Sequence, residues 1–141
     1  MKDIYFACSI RGGREDAEIY AELVQYIKKK VNVLSEIFAD GKLTSKGMNK
    51  PSEEIWKTDT DWVKRADGII AEVSNPSLGV GYEIALAENL SKPILALFRQ
   101  NNKRRLSAMI DGAPGVQVIN YTELSEAKVA IDQFLDKLRL E

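Results

Sequence analysis

The chain contains no histidine and only one cysteine in 141 residues. The side chain that most often moves protons near neutral pH is therefore missing. Acid–base work must fall to tuned carboxylates, the thiol, a lysine or a tyrosine. The usual zinc ligand sets are excluded with it. Magnesium on carboxylates stays open in principle, although no acidic cluster behind a glycine-rich metal loop is present. The lone Cys8 rules out an intrachain disulfide and suits a reducing, cytoplasmic compartment. An excess of one charge is lacking too, with 20 Lys and Arg against 21 Asp and Glu. No global field then favours nucleic acid or a membrane as a partner. The clusters Lys28-Lys29-Lys30 and Lys103-Arg104-Arg105 are short and read as solvated helix ends. Long hydrophobic runs are absent. Ile4 to Ile10 is too short to span a bilayer and is soon followed by Arg11 and Arg14, so it reads as a buried strand and not as a signal peptide.

What is present is a regular alternation of short apolar runs with helical patterns. Strands are expected at Ile4–Cys8, Val31–Glu36, Gly68–Val73, Ile94–Phe98 and Val116–Asn120. Helices are expected at about 15–30, 53–65, from near 81 until Pro93 opens the next strand, a short one near 104–110, and 125–138. Tyr20, Leu23, Val24 and Ile27 form one inward face; Ile84, Ala87 and Leu90 form another, as do Ala127, Ile131, Phe134 and Leu138. The polar stretch Phe38–Pro51 reads as a long loop, a candidate lid. Five strands alternating with helices predict an α/β fold of Rossmann or flavodoxin-like type. Its parallel sheet should run in the order 2-1-3-4-5 with helices on both faces. No repeat, low-complexity tract or linker divides the chain, so one domain over 1–141 is expected. Sheets of this kind bind ligands beyond the carboxyl ends of their strands where the order reverses, here between the first and third strands.

Two loops leave those strands. Ser9-Ile10-Arg11-Gly12-Gly13-Arg14 combines glycines that permit close backbone approach with a guanidinium fork suited to phosphate. Ser77-Leu78-Gly79-Val80-Gly81-Tyr82-Glu83 joins a strand to a helix whose first amide donors and positive dipole end suit an anion. Glu83 is expected in the first turn of that helix. By itself it reads first as a residue that complements the dipole, and only second as a catalyst. Asp59 and Asp61 are two apart on a helix, so one can face the pocket while the other faces solvent. Trp56 and Trp62 on that helix read as packing residues, and Cys8 as a buried structural thiol. Tyr5 is expected to bury its ring and to need a partner for its hydroxyl. Two carboxylates across a glycosidic bond, one nucleophile and one proton donor, would support retaining chemistry.

Tyr5-Phe6, Ser9 to Asp16, Ala71-Glu72-Val73, Pro76 to Glu83, Leu97-Phe98-Arg99 and Leu106 to Ile110 together closely resemble the 2'-deoxynucleoside 5'-phosphate N-hydrolases. These are relatives of the nucleoside 2-deoxyribosyltransferases. The resemblance covers nearly the whole chain. It implies that Glu83 attacks the anomeric carbon to form a glycosyl-enzyme ester. Asp59 would protonate the departing base and later assist water, while Tyr5 orients the nucleophile and disfavours a ribose hydroxyl. Ser9, Arg11, Gly12, Ser77 and Gly79 would hold the 5'-phosphate, and Ile10 and Ile55 would flank the base. Ser107 would reach the phosphate from a second subunit, making a homodimer part of the site. A small-molecule deoxynucleotide is the implied substrate, and no cofactor is expected. Cys8 stands where the family commonly has glycine, and Ile37 where the animal enzymes have histidine, which puts the usual purine preference in doubt. Three other readings remain: transfer of deoxyribose to another base, hydrolysis of ribonucleotides, and a non-catalytic nucleotide sensor.

Overall fold

A computed structural model describes residues 1–9, 14–35, 50–101 and 104–140, with the side chains of Arg14 and Glu15 left aside. The order of elements is β1 (Asp3–Cys8), α1 (Arg14–Lys28), β2 (Asn32–Leu34), α2 (Ser52–Arg65), β3 (Gly68–Glu72), α3 (Leu78–Asn89), β4 (Ile94–Arg99), α4 (Ala108–Asp111), β5 (Gln117–Tyr121) and α5 (Leu124–Arg139). Among the described residues the sheet is five-stranded and parallel, in the expected order β2-β1-β3-β4-β5.

Period-two alternation along the strands sorts the side chains onto two faces. Ile4, Phe6, Ile70, Leu95 and Leu97 meet Tyr20, Leu23, Val24 and Ile27 of α1 and Ile131, Phe134 and Leu135 of α5. Tyr5, Ala7, Ile69, Ala71, Ala96 and Phe98 meet Val63 of α2 and Val80, Ile84 and Ala87 of α3. Ala7, Ala71 and Ala96 stand in register across three adjacent strands. This row of small residues keeps the second face shallow near the carboxyl end of the sheet, beneath α3.

Several boundaries differ from expectation. The helix expected to open at Gly81 begins at Leu78, because the Ser77 hydroxyl accepts from the Val80 amide at 3.2 Å and caps it. The first i→i−4 bond runs from Gly81 N to Ser77 O at 3.1 Å. Glu83 therefore lies in the second turn, where the dipole acts on it more weakly than supposed. Leu90, expected inward, is 41 % exposed because the helix ends there. The stretch Arg104–Ser107 is not helical; Ser107 caps the four-residue α4 instead. The second strand is shorter than expected, and Glu36 falls outside the described residues. Residues 38–49 of the candidate lid also lie outside them.

Candidate active site

The alternation that buries Ile4 and Phe6 on one face turns Tyr5 to the other, toward α3. There the Tyr5 hydroxyl donates to Glu83 Oε2 at 2.5 Å, in a contact joining positions 78 residues apart. Tyr5 is 4 % exposed and Glu83 8 % exposed. A carboxylate withdrawn from water this far is held by its donors and not by solvent. A hydrogen bond to a charged acceptor contributes about 1.5–3 kcal/mol, and its orientation is narrowly defined.

Asp59 comes from α2, and its place follows from two tryptophans three residues away on either side. The Trp62 ring lies 6.0 Å from the Tyr5 ring, tilted by 38°. Trp56 donates its indole N–H to the Tyr82 hydroxyl at 3.2 Å. Residues three apart share a helix face, so Asp59 lies on the face turned toward Tyr5 and α3. It is half-buried, with Oδ1 shut off from solvent. Ile55, one turn earlier, is half-buried as well. Asp61 faces outward and pairs with Lys57 at 2.9 Å, the division expected of the two aspartates. Trp62 is a packing residue as anticipated; Trp56 is not, being 54 % exposed.

The amino end of α3 carries two glycines that the fold does not require. A Cβ on Gly79 would meet only Ser77 Oγ at 3.8 Å, and one on Gly81 would meet nothing within 4 Å. Each costs the helix roughly 0.5–1 kcal/mol relative to alanine. Space has been kept open along this edge of α3. Ser77 Oγ accepts from Val80, which leaves its hydroxyl proton to be offered to an anion. Ser9, 4 % exposed, follows β1 at the same end of the sheet. Ile10, Arg11 and Gly12 lie outside the described residues.

Ser77 and Ser107 of one chain line a common groove of about 560 Å³, with apolar walls that include Val80, Ile84, Leu106 and Ile110. Tyr5, Asp59 and Glu83 are not among the residues that line it. Leu78 and Met109, exposed by 97 % and 82 %, line it too.

In the sequence Glu72 reads as part of an apolar run, yet it is 1 % exposed on the opposite face of the sheet. It accepts from the Ser74 amide at 2.7 Å, from the Ser74 hydroxyl at 2.9 Å and, in a short bond, from the Tyr121 hydroxyl. Burial raises its pKa above the usual carboxylate range against the opposing pull of these donors. Burial also raises the Tyr20 and Tyr121 phenols, which stay protonated. Ser74 Oγ in turn accepts from the Arg99 amide at 2.8 Å. Arg104 does not end a helix but donates to Asn75 Oδ1 at 2.8 Å. An ionisable residue inside an apolar strand was the signal available for this network; its partners were not legible.

The family model described as nucleoside 2-deoxyribosyltransferase matches residues 4–134. A Rattus norvegicus protein named 5-hydroxymethyl-dUMP N-hydrolase is 43 % identical over 138 residues, covering 94 % of this chain and 84 % of its own. The Danio rerio protein of that name is 41 % identical over 140 residues, covering 96 % and 97 %. Among solved structures, BlsM matches with a TM-score of 0.76 at 19 % identity, covering 97 % of this chain and 91 % of its own. The Clostridium botulinum CMP N-glycosidase BcmB matches at 0.68 and 21 % identity, covering 94 % and 99 %. These two likenesses speak to the fold alone. No helix among the described residues is long and apolar enough to cross a membrane.

Proposed function

The chain belongs to the nucleoside 2-deoxyribosyltransferase family, and we propose that it is an N-glycosidase of 2'-deoxynucleoside 5'-monophosphates, releasing free base and 2-deoxyribose 5-phosphate. The observation that carries this reading is the buried Tyr5–Glu83 hydrogen bond beside the Asp59 face of α2. In the first step a Glu83 carboxylate oxygen bonds to C1' while the C1'–N bond breaks. The leaving base takes its proton from Asp59. In the second, Asp59 accepts a proton from water, whose oxygen bonds to C1' as the ester to Glu83 breaks. Tyr5 holds Glu83 Oε2 throughout, fixing which way the carboxylate faces. The amino end of α3, with Ser77 and Gly79, receives the phosphate together with Ser9, Arg11 and Gly12. Ile10 and Ile55 flank the base. The cycle is acid–base and covalent chemistry on the protein's own side chains and draws on no cofactor.

The apolar groove lined by Leu78 and Met109 suits a second copy of the chain, which would bring Ser107 to its partner's phosphate and complete the site as a homodimer. The single thiol suits a reducing, cytoplasmic setting. Transfer of deoxyribose to a second base shares the same ester and accords with the family's description. The decisive assay follows base release from a panel of deoxy- and ribonucleoside monophosphates by chromatography, with and without a second free base, over a dilution series. Release from deoxynucleotides, no new nucleotide, and activity per chain that falls on dilution are expected. Release from no deoxynucleotide would overturn the proposal, and a new nucleotide would favour transfer.

A further inference from the structure

The loop between β3 and α3 is held from two sides by different kinds of contact. At its start, Ser74 is tied to the sheet through Glu72 and the Arg99 amide. At its end, Ser77 is tied to α3 as its cap. Between them stands Asn75, whose backbone is restricted to extended conformations by Pro76. Its side chain leaves the loop and reaches α1. Nδ2 donates to Asp16 Oδ2 at 2.6 Å and to the Tyr20 hydroxyl at 3.2 Å, while Oδ1 accepts from Arg104 Nη1 at 2.8 Å. These partners admit one amide orientation, since the reverse would set a carbonyl against a carboxylate and an amine against a guanidinium. Asp16 is itself held by Arg99 Nη2 at 2.5 Å, with the two side chains only 15 % and 18 % exposed. The acceptor is therefore fixed before Asn75 arrives.

We propose that Asn75 is a positioning residue that bolts the Ser74–Ser77 loop to α1 through Asp16, presetting Ser77 and the amino end of α3 for the phosphate of the substrate. This rests on the reading of that end of the helix as the phosphate site. The side chain touches no reacting atom. It joins the element that follows β1 to the loop that follows β3, the two strands flanking the reversal of strand order. Without the bolt the loop keeps its ties to the sheet and to α3 but loses its register against α1. The loss should fall on phosphate binding, and the ester-forming step at Glu83 should be spared once the substrate is bound.

Asn75→Asp is nearly isosteric, keeps the acceptor for Arg104, and sets a carboxylate against Asp16. Asn75→Ala removes all three contacts without adding charge. In either variant the KM for a deoxynucleoside monophosphate should rise about tenfold, the scale of a lost charge-assisted hydrogen bond, with kcat within about twofold. The inhibition constant of inorganic phosphate should rise in parallel, and the affinity for the same deoxynucleoside lacking phosphate should not move. Circular dichroism melting checks that the variants remain folded. A folded variant with unchanged phosphate affinity, or an equal loss for nucleoside and nucleotide, would overturn the role of Asn75. Should the wild type release no base at all, the proposed activity fails. Direct titration with inorganic phosphate still decides the bolt: weaker binding by the charge-neutral Asn75→Ala supports it, and equal binding overturns it.

Discussion

Helices α3 and α5 lie against opposite faces of one sheet and are built by opposite rules. Most local choices in α5 favour a stable helix. Glu123 and Glu126 close a capping box at its start, Lys137 and Arg139 stand in its last turn, and Ile131, Phe134, Leu135 and Leu138 are buried. α3 carries Gly79 and Gly81 near its start, and it buries Glu83 among apolar neighbours. Segments that break local rules without a packing reason are where function is to be sought. The difference separates a helix that holds the sheet together from one that presents groups beyond it.

That contrast can be tested from both sides. Glu83→Gln should abolish base release, by about 10³-fold or more, because an amide cannot form the glycosyl ester and Asp59 is occupied with the proton. Folding and phosphate binding should survive, as monitored by melting and titration. Comparable turnover in the variant would remove α3 from the chemistry. Phe134→Ala in α5 should do the reverse. A cavity at a position 6 % exposed costs about 3–5 kcal/mol of stability by denaturant unfolding, while the folded fraction keeps its KM. The smallest effect sharpens the comparison most. Gly81→Ala meets no atom within 4 Å and should stabilise the fold by roughly 0.5–1 kcal/mol. If the glycine is kept for a ligand or a second subunit, activity should fall despite the gain. A more stable protein with full activity would show that Gly81 serves neither.

Much of the fold was legible because it rests on periodicity. Ile4-Tyr5-Phe6-Ala7 alternates in chemistry and in space, and the inward residues of α1 and α5 recur at helical spacing. The start of α3 was not legible, since two glycines read as loop until the Ser77 cap is seen to outweigh them. Trp56 was misjudged because a helix pattern reports which face a residue shares and not how far its neighbour reaches. Of the site, Tyr5, Asp59 and Glu83 could be nominated from residue type and family resemblance. Asp16, Asn75 and Arg99 could not, being ordinary surface-type residues scattered over 84 positions of sequence.

The sequence by itself determined the strand alternation that points Tyr5 away from Ile4 and Phe6, the helical stripes, and the absence of histidine, which leaves acid–base work to carboxylates, the thiol, lysines or tyrosines. Those are local properties, set by a period of two or of 3.6 and by side-chain chemistry. Family resemblance anticipated that Tyr5 meets Glu83, but only the tertiary structure gave that contact its geometry and decided that Glu72 is buried under Ser74 and Tyr121 and that Asn75 reaches Asp16. These contacts join distant segments through hydrogen bonds of fixed length and direction. Nothing in composition or spacing encodes such a bond until the sheet has brought its two ends together.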